Sequence, residues 1–181
     1  MVAAMEDHVV LFDGTSTDGW RMAGPGGFDL VDGTLESHGG MGLLWYTGRP
    51  FADFVLDVHW AVARATDNSG VFLRFPDPGD DPWVAVHHGY EVQIHDTAPE
   101  TVHQTGGIYS FAAPSRAASN PAGAWNHFRI VCVGQDYAVA LNGLAVTTFT
   151  GSRSTEGFVG IQNHDPSSRV RFRRIAVTVV Q

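Results

Sequence analysis

Apolar and polar residues alternate along much of this chain, and this pattern predicts β-strands. Between residues 54 and 60, for example, Phe54, Leu56, Val58 and Trp60 occupy every second position. In a strand, a period of two residues puts alternate side chains on opposite faces. Such a segment therefore has one buried face and one open face. Apolar residues at helical spacing do not persist for three turns anywhere in the chain. The pattern therefore predicts about a dozen strands and no helix of ordinary length.

Turn sequences between these segments indicate how the strands are joined. Asp32-Gly33 and Asn142-Gly143 favour tight hairpins. Because no helix is predicted to cross between strands, neighbouring strands should be antiparallel. Two stacked sheets bury such strands, which predicts an all-β fold, a two-sheet antiparallel jelly-roll sandwich. We expect one domain over residues 1–181 with its core at about 9–177, an irregular acidic loop at 76–88 and a short strand at 108–111.

Composition and charge narrow the classes of function. The 21 glycines and nine prolines suit a turn-rich β protein, and a net charge of -8 argues against a nucleic-acid binder. One dense basic run alternates with apolar residues and is predicted to be the open face of a last strand; it consists of Arg169, Arg171, Arg173 and Arg174. The single cysteine, Cys132, excludes an internal disulfide and lies in an apolar run, so we expect a small buried hydrophobic residue.

The location of the protein is constrained only weakly. The chain has no run of about 18 apolar residues, so no membrane-spanning helix is predicted. The segment Met1–Val10 is short and carries Glu6 and Asp7, unlike a secretory signal. As given, the chain is expected to be cytoplasmic. If it is part of a longer exported protein, it is expected to be extracellular or periplasmic.

Candidate chemistry lies on the open faces of three predicted strands. The first carries Asn68, Gly70, Phe72 and Arg74, the second Glu91, Gln93 and His95, and the third Gly160, Gln162 and His164. If these strands are neighbours, their side chains form one polar surface with Phe72 as an aromatic floor. Further aromatic surface is expected from Trp45, Tyr46 and Tyr109, and room for a ligand from small residues such as Gly70, Gly160, Ala138 and Ala140.

Such a surface suits a ligand rich in hydroxyl groups, because amides and charged groups bind hydroxyls while aromatic rings pack on the C–H faces of sugars. The alternative is that these residues are only the solvated positions of an antiparallel sheet. Solvated strands usually carry threonine, serine and lysine, whereas this chain has no lysine and places glutamate, glutamine, asparagine, arginine and histidine there. The set as a whole therefore favours a carbohydrate or glycoside ligand.

Metal sites find less support in the sequence. The nine histidines include no His-x-x-x-His or Glu-x-x-His spacing, and no zinc site is predicted. The alternative of a structural calcium ion rests on loop oxygens of Asp77, Asp80 and Asp81. No other cofactor is expected.

An ordered series of motifs resembles the 3-keto-disaccharide hydrolase domain family. The motifs are Leu11-Phe12-Asp13-Gly14, Asn68-Ser69-Gly70-Val71-Phe72-Leu73-Arg74, Gly89-Tyr90-Glu91-Val92-Gln93-Ile94, Leu141-Asn142-Gly143 and Gly160-Ile161-Gln162-Asn163-His164. The resemblance runs from about Val9 to Val177. It implies a concanavalin A-like, laminin G-like jelly roll related to β-glucanases. Members of this family are usually exported.

The resemblance also implies an activity on glycosides oxidised at C3. A ketone at C3 acidifies the proton on C2, so a base can remove it, the C1 substituent leaves, and water adds to the resulting enone. We hypothesise that Glu91 is the base and His164 or His95 the acid. The residues expected to bind the substrate are Asn68, Arg74, Gln93, Phe72, Tyr109, Gln162 and Trp45.

Two alternatives to an enzyme of this kind remain open. One is a non-catalytic carbohydrate-binding module, and the other is a structural or interaction domain of a larger protein. The segment 91–95 lacks the second and third acidic residues of the Glu-x-Asp-x-Glu and Glu-x-Asp-x-x-Glu motifs of retaining β-glucanases. A paired-carboxylate displacement is therefore not predicted.

Overall fold

Residues 7–181 are described by a computed structural model, and they form thirteen strands, one short α-helix and one turn of 3₁₀ helix at Thr101–His103. The first six residues of the segment considered above for a secretory signal lie outside the described residues. The elements are β1 (Asp7–Phe12), β2 (Trp20–Ala23), β3 (Gly27–Val31), β4 (Thr34–His38), β5 (Gly42–Tyr46), β6 (Phe54–Val62), β7 (Ser69–Phe75), α1 (Trp83–His88), β8 (Tyr90–Ile94), β9 (Asn126–Val133), β10 (Asp136–Leu141), β11 (Leu144–Thr150), β12 (Phe158–Asn163) and β13 (Val170–Val179).

The strands form two antiparallel sheets, as predicted. The larger sheet has the order β11-β10-β9-β6-β13-β4-β3, with β1 also paired to β13. The smaller sheet has the order β2-β5-β12-β7-β8. Strands β7, β8 and β12, which carry most of the candidate chemistry, are therefore neighbours in the smaller sheet.

The main hydrophobic core fills the space between the sheets, and strand periodicity determines which residues enter it. Phe54, Leu56, Val58 and Trp60 are all at most 1% exposed. In the smaller sheet, residues such as Val71 on β7, Val92 on β8 and Ile161 on β12 point into the same core. The residues between them point outward, which fixes the face on which a ligand site can form.

The segment 76–88 differs from the predicted loop, because its second half is helix α1. This six-residue helix packs against β7 and β8 with Ala85 buried beneath it. A helix of this length contains fewer than two turns, so its periodicity is too short to be detected in the sequence. The predicted strand at 108–111 is also wrong, since Ile108 makes only isolated bridges to Val92 and Ala112.

Other expectations are met. Cys132 is fully buried, and burial raises the pKa of its thiol to about 12, so it is a packing residue. In the last strand, Val170, Phe172 and Ile175 are buried while Arg173 and Arg174 are exposed. Within residues 7–181, no helix has the length and apolar character needed to cross a bilayer.

Candidate functional site

A cavity of about 410 Å³ opens on the outer face of the smaller sheet, beside helix α1. It is lined by polar residues of the sheet and by apolar and aromatic residues of the surrounding loops and helix. Seven residues predicted from the sequence are among them: Asn68, Glu91, Gln93, His95, Tyr109, Gln162 and His164. The structure thus brings these seven side chains together at one site.

Strand parity explains why the polar residues meet. Tyr90, Val92 and Ile94 of β8 point into the core, so Glu91 and Gln93 point outward. Neighbouring β7 presents Gly70 opposite Gln93. On the other side of β7, strand β12 supplies Gln162, and its outward series continues to His164 just beyond the strand.

Tyr109 reaches the cavity from an irregular segment that hydrogen-bonds along the free edge of β8. Gln93 N donates to Gly107 O at 3.0 Å, and Tyr109 N donates to Glu91 O at 2.9 Å. The ring of Tyr109 stacks on that of His103, with 4.4 Å between the ring centroids. This pair forms one wall of the cavity.

Glu91 lies at the floor of the cavity and is only 6% exposed. Burial raises the pKa of its carboxyl group to about 8, so the group is mostly protonated at neutral pH. Gly70 makes room for it, because a Cβ at position 70 would lie 2.0 Å from Glu91 Oε1. With its amide nitrogen facing Glu91, Gln93 donates to Glu91 Oε1 at 3.2 Å and to Ser69 O at 2.9 Å.

His95 is held as a neutral imidazole. Burial, followed by repulsion from His164, lowers the pKa of its ring. Its Nδ1 lies 3.3 Å from Asn68 Nδ2, which donates because an amide nitrogen has no acceptor capacity. Neutral His95 therefore carries its hydrogen on Nε2 and is a hydrogen-bond donor there.

His164 has a different partner, the neighbouring Asp165. The distance from His164 Nδ1 to Asp165 Oδ2 is 2.9 Å. Partial burial alone would raise the pKa of Asp165, but hydrogen bonds from His164, Ser167 and Ser168 outweigh it and hold this pKa well below its usual range. Asp165 is therefore an ionised carboxylate beside the site.

Two acceptor atoms of cavity-lining residues lack a partner within residues 7–181. They are Gln162 Oε1 and Asn68 Oδ1, both buried. Buried acceptors without a donor are costly, so each is expected to gain a donor from water or from a ligand. Hydroxyl groups meet this requirement.

Arg74 does not lie in the cavity, and the prediction that it does is wrong. Its φ angle of 53° and a register shift opposite β12 between Phe158 and Val159 break the alternation of β7. The side chain turns into the interior, where it is fully buried and donates to Ala52 O and to Tyr137 Oη. Strand parity holds only where the backbone is extended, and the backbone at Arg74 is not extended.

The predicted aromatic floor is also wrong. Phe72 and Trp45 do face outward, but helix α1 covers them, and they belong to a second apolar cluster that includes Phe75 and Ala85. Tyr46 packs instead against the main core. The expected small residues Ala138 and Ala140 lie on β10, which belongs to the larger sheet.

Sequence reasoning missed several residues of the site. The cavity walls also contain Met41, Trp83, Val86, Ala98, Pro99 and His103. Most come from irregular segments or from α1, where no periodicity marks the inward positions. For Asp165, the only signal was its place directly after His164.

The three aspartates considered for calcium are engaged separately. Asp77 Oδ1 accepts from Gly79 N, Asp81 Oδ1 accepts from Trp83 N, and Asp80 pairs with Arg21 at 2.8 Å. Across residues 7–181, no group of three or more histidine, cysteine, aspartate or glutamate side chains is arranged to hold a metal ion. The calcium hypothesis gains no support from this geometry.

Comparison with known proteins identifies the family. The family model described as the 3-keto-alpha-glucoside-1,2-lyase-like domain matches residues 7–178. This match confirms the family that the ordered motifs predict. No curated protein matches the chain.

Solved structures confirm the two-sheet jelly roll. A Parabacteroides distasonis protein provisionally named a glycosyl hydrolase is similar with a TM-score of 0.82 at 22% identity, over 96% of this chain and 94% of that chain. A second structure of that description from the same organism has a TM-score of 0.80 at 24% identity, over 96% and 99%. The carbohydrate-binding module CBM66 of Bacillus subtilis has a TM-score of 0.65 at 14% identity, over 87% and 93%. At these identities the likeness shows the fold alone.

Proposed function

We propose that this chain, which belongs to the 3-keto-alpha-glucoside-1,2-lyase-like domain family, is an enzyme that cleaves 3-keto-glycosides. The observation that carries the proposal is a buried carboxyl group, Glu91, in one cavity with His95 and His164. Buried titratable groups with strongly displaced pKa values are concentrated at functional sites. The names of the similar structures, which include glycosyl hydrolases and a carbohydrate-binding module, support a sugar ligand.

The cavity fits a sugar in size and chemistry. A volume of about 410 Å³ is within the range of small-molecule sites. Gln162 Oε1 and Asn68 Oδ1 have no donor and almost no accessible surface, so they would accept from sugar hydroxyls once their side chains rotate toward the cavity. Trp83, which is 50% exposed, and the stacked pair of His103 and Tyr109 offer ring faces for the C–H side of a pyranose.

In the reaction, the ionised form of Glu91 accepts the proton on C2, and the electron pair of that bond passes into an enolate at C2 and C3. As the carbonyl at C3 reforms, the C1–O bond breaks and the leaving oxygen takes a proton from protonated His164. Water then adds to the enone at C1. His95 can hydrogen-bond the enolate oxygen through its Nε2–H, and Gln93 holds Glu91 in place.

A carbohydrate-binding module is the second candidate. The observation that favours it is the fold shared with CBM66. As a module, the protein would bind the sugar without consuming it, and the displaced pKa of Glu91 would then be only a consequence of burial. The enzyme and the module are distinguished by turnover.

We expect Glu91→Gln to lower kcat/KM for a 3-keto-glucoside about 100-fold or more, because glutamine cannot accept the C2 proton. Release of the aglycone from 3-keto-glucosides and from their unoxidised parents measures this. Glutamine resembles the protonated carboxyl group, so binding of the unoxidised parent should persist. Glu156→Gln, at an exposed position, is the matched control. Wild-type protein that binds the parent but consumes no 3-keto-glucoside would instead establish a binding module.

The pH dependence of turnover tests the assignment of Glu91 as the base. Only the ionised carboxylate accepts a proton, and the pKa of Glu91 is about 8. We therefore expect kcat/KM of the His164→Ala protein, which lacks the second titrating group, to rise with pH through this value and to level off above it. A profile that falls through about pH 8 would mean that protonated Glu91 is the active form, and Glu91 would then be an acid.

A further inference from the structure

The carboxylate of Asp165 is held by hydrogen bonds on both of its oxygens. Oδ1 accepts from Ser167 N at 2.8 Å, from Ser167 Oγ at 2.7 Å and from Ser168 N at 2.8 Å. Oδ2 accepts from Ser168 Oγ at 2.7 Å and from His164 Nδ1 at 2.9 Å. With this many donors, the carboxylate has a single orientation relative to the imidazole.

The same group is tied to the sheet that carries the cavity. Ser168 is 3% exposed, and its Oγ accepts from Asn68 N at 2.9 Å. Asn68 directly precedes β7, and its side chain lines the cavity. A chain of hydrogen bonds therefore connects His164, through Asp165 and Ser168, to the strand next to Glu91.

We propose that Asp165 is a positioning residue that keeps His164 in one tautomer and one orientation, so that His164 exchanges protons with the ligand through Nε2. An ionised carboxylate has no hydrogen to donate, so the contact with Asp165 Oδ2 requires a hydrogen on His164 Nδ1. Nε2 is then the ring nitrogen that has no partner within residues 7–181. A carboxylate that fixes a histidine in this way is a common device in proton-transfer sites.

His95 and His164 are thereby held in opposite tautomers when both are neutral. Neutral His95 has its hydrogen on Nε2 because Asn68 donates to Nδ1, whereas neutral His164 has its hydrogen on Nδ1 and a lone pair on Nε2. In the proposed cleavage, which this inference rests on, protonated His164 gives the Nε2 proton to the leaving oxygen as the C1–O bond breaks. The Nδ1 hydrogen stays bonded to His164 and donates to Asp165 throughout.

Nitrogen NMR of the histidine rings tests the tautomer without any substrate. We expect neutral His164 in the wild-type protein to show the Nδ1–H tautomer, and Asp165→Asn to give a mixture or the opposite tautomer. Ser167→Ala removes one donor to Asp165 and leaves the contact with His164 in place, so it should preserve the wild-type spectrum. An Nε2–H tautomer in the wild-type protein would overturn the proposal, whether or not the variants fold.

A double-mutant cycle tests the functional role. We expect Asp165→Asn to lower kcat for a 3-keto-glucoside about 10- to 100-fold and to change KM less than about twofold. In the background of His164→Ala, the same substitution should change kcat less than about twofold, because Asp165 acts through His164. Equal losses in both backgrounds would show a merely structural role and would contradict the proposal. Absence of turnover by the wild-type protein would remove the proposed function, while the NMR result would still decide the tautomer.

Discussion

The free energy of unfolding of the wild-type protein is expected to fall as pH rises from about 4.5 to about 8, and Glu91→Gln is expected to remove this fall. The folded protein holds the pKa of Glu91 near 8, above the ordinary value of 4.5. Between these values the unfolded chain releases the proton while the folded protein keeps it, so rising pH favours unfolding. The difference between the two pKa values corresponds to on the order of 5 kcal/mol.

Denaturant unfolding at pH 5 and at pH 9 measures this effect. Other groups also titrate over the interval, so the informative quantity is the change in the free energy of unfolding of the wild-type protein minus that of Glu91→Gln. Glu156→Gln, an exposed substitution of the same chemistry, should retain the wild-type change. If Glu91→Gln and the wild-type protein lose stability equally over this interval, Glu91 is not a buried carboxyl group of raised pKa.

The loss of stability that accompanies ionisation of Glu91 is informative about function. At pH values where Glu91 is ionised, the protein is less stable than it would be with a neutral residue in that position. The carboxyl group also requires glycine at position 70, because any larger residue there would displace it. A local feature that lowers stability and requires such accommodation is typical of a site shaped by function.

The polar floor of the cavity was predictable because it depends on strand parity. The alternation of Tyr90, Val92 and Ile94 with Glu91 and Gln93 is visible in the sequence, and it determines which side chains face outward. The pairing of β7 with β8 and with β12 then brings the outward residues together. The sequence alone left these pairings as a condition of the prediction, and the structure meets that condition.

The walls of the cavity were not predictable in this way. Trp83 lies on a helix shorter than two turns, and Tyr109 lies on a segment that follows β8 through backbone hydrogen bonds. Backbone hydrogen bonds of this kind are independent of side-chain identity, so they leave no pattern in the sequence. Asp165 lies in a local turn and accepts hydrogen bonds from Ser167 and Ser168. Hydrophobic periodicity carries no information about such a turn.

Arg74 shows how a single backbone departure reverses a prediction. Its left-handed φ of 53° places the side chain on the opposite face from the one that alternation assigns. There the guanidinium reaches from the smaller sheet to the larger sheet and its loops, with Ala52 O, Gly134 O, Tyr137 Oη and the carboxylate of Asp53 as its acceptors. It also lies 5.7 Å from the ring centroid of Phe54. Arg74 is therefore a structural residue of the interior.

Arg74→Met is accordingly expected to lower the free energy of unfolding by about 3–5 kcal/mol, because it leaves buried carbonyl oxygens without donors and removes a fully buried charge from its partners. Denaturant unfolding measures this loss. Arg21→Met is the matched control: Arg21 and Asp80 form an exposed ion pair, so its loss should cost no more than about 1 kcal/mol.

The affinity of the folded Arg74→Met protein for an unoxidised glycoside should equal that of the wild-type protein, because the guanidinium lies outside the cavity. Isothermal titration under conditions where both proteins are folded tests this. The two roles considered for Arg74 thus predict opposite results. A ligand-binding residue on the open face would lose affinity with little change in stability, whereas a buried link between the sheets loses stability and leaves affinity unchanged.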